Sequence, residues 1–115
     1  MKDRDFSDYI KDILISIQDV EEFPSGMIFD EFLQDKKTIK AVIRSLEVLG
    51  EASKKIPESI KARYSQVPWK RMAGMRDKLI HEYFGVDLEI VWNVVKNELP
   101  PIKPFIEQLS REIEI

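Results

Sequence analysis

Between Pro68 and Gly85 the chain reads Pro-Trp-Lys-Arg-Met-Ala-Gly-Met-Arg-Asp-Lys-Leu-Ile-His-Glu-Tyr-Phe-Gly, and this stretch holds its single histidine, His81. Arg76 lies five residues before that histidine and Tyr83 two after it. An imidazole titrates near neutrality and can carry a proton, while a guanidinium stays charged and presents paired donors that match phosphate oxygens. Chemistry at a phosphoryl group can use both: a proton carrier at the attacking or leaving oxygen, and a cation at the phosphoryl oxygens. Asp77, four residues before His81 on the same helical face, is placed to orient the imidazole or raise its pKa. Lys70, Arg71, Arg76 and Lys78 are offset only by Asp77 between Pro68 and Lys78, so Lys70, Arg71 and Lys78 are candidate RNA contacts.

Each residue also has a plain structural explanation. A histidine in the last turn of a helix is a favourable partner for the helix dipole, and an arginine on a helix pairs with a nearby acid. Tyr83 fits the rim of an apolar core, and Lys70 to Lys78 fit a charged helix exterior. Trp69, Trp92, Met72 and Met75 read as packing residues rather than base-stacking platforms. Geometry adds a condition to the catalytic reading. At ~100° per residue, Arg76 and His81 diverge by ~140° around a straight helix, whereas Arg76 and Tyr83 share a face with Met72 and Leu79. Either the helix loosens before Gly85 or the site combines residues of two protomers, and the second option predicts a homodimer. Gly74, on the side of the helix that carries His81, would permit close approach of the second copy.

The elements that must position these residues are helical. Phe6, Ile10, Ile13, Leu14, Ile17 and Val20 recur at steps of three and four, predicting a first helix that ends near Pro24-Ser25-Gly26. A second begins near Asp35 and carries Ile39, Val42, Ile43, Leu46, Leu49 and Ser53 on one face, with Gly50 beside them. Its Glu47, Glu51, Lys54 and Lys55 read as surface pairs. Pro57 and Pro68 read as first-turn residues bracketing a short helix, Pro57–Tyr64, before a helix over 69–83. Asp87 is a plausible N-cap for the last apolar stripe, from Leu88 to Ile113, which Pro100, Pro101 and Pro104 interrupt with a kink or break near Asn97–Pro100. No stretch alternates with period two. The expected fold is all-α: one domain over residues 1–115, folded as a mostly antiparallel bundle of four or five helices.

Composition narrows the function classes. There is no cysteine, so no disulfide framework or thiolate metal site is available, and a reducing, cytoplasmic setting is expected. No apolar run approaches the length of a membrane span and the N-terminus is charged, so neither membrane insertion nor export is expected. With one histidine, no metal-ligand spacing and no phosphate-cradling glycine loop, neither a metal nor another cofactor is expected. The net charge of −3 argues against capture of nucleic acid by bulk electrostatics, so an RNA site must be local.

Arg76, His81 and Tyr83 form the pattern Arg-x-x-x-x-His-x-Tyr. Leu-Gly-Glu-Ala at 49–52, Pro68-Trp69, and Phe-Gly-Val-Asp at 84–87 followed by Val91-Trp92 flank it. In these features, and in length and helix order, the chain resembles the HepT-like branch of the HEPN superfamily. The resemblance implies a helical homodimer whose Arg76 and His81 line a cleft between protomers and cleave RNA without metal, as the toxin of a toxin–antitoxin pair. It also implies a minimal nucleotidyltransferase partner, which in such systems transfers AMP to the motif tyrosine, here Tyr83. The alternative is a non-catalytic helical partner, or substrate-binding subunit, of that nucleotidyltransferase, with the motif helix as its docking face.

Overall fold

The computed structural model describes residues 6–81 and 87–113. Among these residues seven α-helices order as α1 (Phe6–Glu22), α2 (Phe29–Gln34), α3 (Lys36–Lys54), α4 (Glu58–Arg63), α5 (Trp69–His81), α6 (Leu88–Asn93) and α7 (Lys103–Ile113), and α6 runs on into a π-helical turn, Val94–Glu98. No strand occurs among the described residues, and the fold is an all-α bundle, as the periodicity predicts. No described helix is long and apolar enough to cross a membrane.

Helix α3 is the central element, packed chiefly against α1 and α5, with α7 on α1 and α2 on α3. Burial follows the helical repeat. Ile10, Ile13, Ile17 and Val20 of α1 meet Val42, Leu46 and Leu49 of α3, Met72 of α5 and Ile106 and Leu109 of α7 in one core. Burying aliphatic side chains of this size is worth ~1.5–3 kcal/mol each, which is why the stripes decide the architecture. Gly50 is buried on α3, and the buried Ser53 hydroxyl donates to the Leu49 carbonyl at 2.7 Å, so neither leaves a polar group stranded.

Local chemistry sets the helix ends. Gly26, at φ +80°, makes the left-handed turn after α1. The Asp35 carboxylate accepts from the Thr38 N–H at 3.0 Å to cap α3, and that bond holds its pKa below the ordinary value. Asp87 caps α6 through the Glu89 N–H at 2.9 Å. The prolines sit one place earlier than the sequence reading puts them. Pro57 is extended, at φ −61° and ψ 147°, and its carbonyl accepts the first bonds of α4. Pro68 likewise precedes α5 and accepts from the Met72 N–H. The C-terminal stripe divides where prolines fall: the Leu99 N–H reaches back to Val94 in a widened turn, Pro100 and Pro101 can donate no bond, and α7 starts at Lys103.

Two features are absent from the sequence reading. Helix α2 buries Phe32, whose ring lies 5.1 Å from that of Trp92, with Phe29 at 5.7 Å from the same indole. Lys54, read from the sequence as a surface charge of α3, bridges to Asp77 of α5.

Candidate active site on helix α5

Helix α5 is anchored at its start. The Trp69 ring is buried, and its Nε1–H donates at 3.0 Å to the Tyr64 carbonyl, which also accepts from the Val67 N–H. That carbonyl therefore fastens the end of α4 to the first turn of α5. Met72, one turn on, is 1% exposed, and Met75 is partly buried against the same core. Trp69 and Met72 are thus packing residues, as is Trp92, held among Phe29, Phe32 and the Lys96 ammonium.

The helix is α-helical without interruption from Trp69 through His81. It does not loosen between the two motif positions, so Arg76 and His81 stay ~140° apart about its axis. Position 81 falls opposite the buried Met72 and in line with Lys70 and Gly74, both exposed. A side chain at Gly74 would meet nothing within 4 Å, so α5 is open at that position. The side chains of Arg76, Lys78 and His81 lie outside the described parts of the structure, as does Tyr83 altogether.

Asp77 is tied to the end of α3: its Oδ1 and Oδ2 accept from Lys54 Nζ at 3.3 and 3.4 Å. Lys54 is a site neighbour that sequence reasoning assigned to the surface, because nothing in the spacing of α3 says which helix its end will meet. Arg71 makes a 2.6 Å ion pair between its Nε and Glu98 of the π-helical turn. The pair leaves the Arg71 side chain 65% exposed. Lys70 remains exposed.

The family of HepT-like ribonucleases matches residues 13–109. The chain belongs to it. "Putative RNase MJ0127" of Methanocaldococcus jannaschii is 52% identical over 114 residues, covering 99% of this chain and 94% of that protein. "Probable ribonuclease HepT" of Thermococcus cleftensis is 49% identical over 94% of this chain and 98% of its own length. "Putative RNase TTE0752" of Caldanaerobacter subterraneus is 41% identical over 90% of this chain and 93% of its own. No solved structure matches the chain significantly. Membership in this ribonuclease family agrees with the resemblance carried by Arg76, His81 and Tyr83 in the sequence.

Proposed function

We propose that the chain is a metal-independent endoribonuclease that acts as a homodimer, serves as the toxin of a toxin–antitoxin pair, and works in the cytoplasm. The observation that carries this reading is the uninterrupted helix α5, which sets Arg76 and His81 on different sides in a chain of the HepT-like ribonuclease family. Two such residues meet most simply across a two-fold axis, one from each protomer. The open position at Gly74 leaves room for two α5 helices to approach.

In this mechanism His81 takes the proton of the 2'-hydroxyl, and the freed oxygen attacks the adjacent phosphorus. The bond to the 5'-oxygen breaks, that oxygen takes a proton from water, and the protonated His81 returns its own to solvent. The products are a 2',3'-cyclic phosphate and a 5'-hydroxyl. Arg76 stabilises the charge that builds on the phosphoryl oxygens, and Asp77 steadies the imidazole. The nucleotidyltransferase partner restrains the enzyme.

The test is cleavage of total RNA by purified protein in EDTA, with end-group analysis and sedimentation. Wild type should yield cyclic-phosphate ends as a dimer. His81→Ala should abolish cleavage and Arg76→Ala depress it at least a hundredfold, both with unchanged circular dichroism. Loss of activity on chelation, 3'-hydroxyl ends or a fully active monomer would refute the mechanism. An RNA-inert wild type that still binds the transferase would instead be its helical partner.

A further inference from the structure

We propose that a second phosphate-binding site lies at the N-terminal end of α5, away from the histidine, and holds the backbone of a single-stranded RNA while the catalytic end works on it. The inference rests on the ribonuclease reading above. Its basis is an open concavity of about 860 Å3 between α4 and α5, lined by Lys61, Lys70, Arg71, Glu58, Pro68 and Trp69.

Three cations and one acid face this space on a chain whose formal charge is −3. It is therefore a local basic site on an otherwise acidic molecule, the kind of site a polyanion requires here. Lys61 belongs to α4 and is brought beside Lys70 because the Tyr64 carbonyl fastens the two helices through Val67 and Trp69. Its ammonium pairs with Glu58 at 3.7 Å, but that carboxylate is 92% exposed, so an incoming phosphate displaces it readily. Arg71 is already engaged by Glu98, so Lys61 and Lys70 carry the site.

Its register with the motif is the second argument. Lys70 and position 81 lie within ~20° of each other about the axis of α5 and ~16 Å apart along it. A phosphate held at Lys70 and Lys61 thus lies on the side of α5 that carries the histidine, a few nucleotides from it along a strand that enters at the start of the helix. Trp69 is buried, with its N–H already given to Tyr64, so it offers no stacking platform. The site grips phosphates and reads no base, which makes its contribution independent of sequence.

The experiment compares kcat/KM for a long unstructured RNA and for a dinucleotide too short to reach the concavity, across a salt series. Lys61→Ala/Lys70→Ala should lower the long-to-short ratio about tenfold and flatten the salt dependence for long RNA by ~0.7 for each phosphate no longer neutralised. Lys61→Arg/Lys70→Arg should keep both near wild type. Lys36→Ala/Lys37→Ala, at the exposed start of α3, should leave both unchanged. Circular dichroism and melting confirm that each variant folds. A ratio and salt slope equal to wild type in the alanine variant would overturn the second site while leaving the ribonuclease intact. A wild type that cleaves neither substrate would overturn the ribonuclease reading and this proposal with it.

Discussion

The Lys54 ammonium, at the C-terminal end of α3, lies 3.3 Å from the Asp77 carboxylate in α5, one helical turn before His81. The pair is half-exposed, so by itself it adds only ~0.2–1 kcal/mol to stability. Its position is what gives it weight. It fixes the carboxylate of the one acid four residues from the histidine and ties the motif helix to the central helix of the bundle. Asp77→Asn should therefore slow RNA cleavage about tenfold while lowering stability by less than ~1 kcal/mol. Lys54→Met should show the same small loss of stability with a smaller kinetic effect. Equal stability losses with unchanged cleavage in both variants would reduce the pair to a helix clamp.

Phe32 provides a test of the fold. It is 1% exposed, in a helix of only six residues, and its ring meets the indole of Trp92. Phe32→Ala should cost ~3–5 kcal/mol, measured by urea unfolding, because a cavity opens where α2, α3 and α6 meet. A cost below ~1 kcal/mol would mean that α2 is dispensable to the core.

How far such features are legible in the sequence depends on their range. The α1 stripe, the helix start near Asp35, the Asp87 cap and the break around Pro100 and Pro101 follow from residues within a few positions of one another, and the structure carries them all. Phe29–Gln34 is too short to show a helical repeat, so α2 emerges only from the packing of Phe32 on Trp92, sixty residues away in sequence. The same limit applies to the site. Spacing along α5 sets the angle between positions 76 and 81, but Lys54 and Lys61 reach that helix through tertiary packing, and no local pattern announces them.

The Tyr64 hydroxyl donates to the Glu112 carboxylate, which also receives Arg63 at 3.2 Å and Gln108 at 3.4 Å, joining α4 to α7. The Tyr64 bond, with help from Gln108 and Arg63, holds Glu112 below the ordinary carboxylate range. Burial, and then Glu112, push the Tyr64 hydroxyl up. For a carboxyl depressed in the fold, the stabilisation is present above its ordinary value, ~4.3, and is lost as pH falls through the folded value. For a phenol raised in the fold, it is present below ~10 and is lost as pH rises through the folded value. The melting temperature of wild type should exceed that of Tyr64→Phe most between about pH 5 and 9, and the gap should narrow on both sides. No gap at any pH would show that the aromatic ring, which Tyr64→Phe keeps, and not the bond, fastens α7.

The last prediction concerns Tyr83, proposed as the point of control. It stands two residues beyond His81, so AMP joined to its hydroxyl would set a phosphate and a nucleoside beside the place where substrate phosphate must bind. Attack of the phenol oxygen on the α-phosphorus of ATP forms the phosphodiester and releases pyrophosphate, so each transfer adds one AMP unit and one negative charge. Inhibition follows from occlusion and from repulsion between like charges. Incubation with the cognate transferase, ATP and magnesium should raise the mass of the protein by whole AMP units and stop RNA cleavage in proportion to the modified fraction. Tyr83→Phe, once shown to cleave RNA by itself, should escape both effects while still binding the transferase. If the transferase silences wild type with no gain in mass, and silences Tyr83→Phe equally well, control runs through binding and the tyrosine has no part in it.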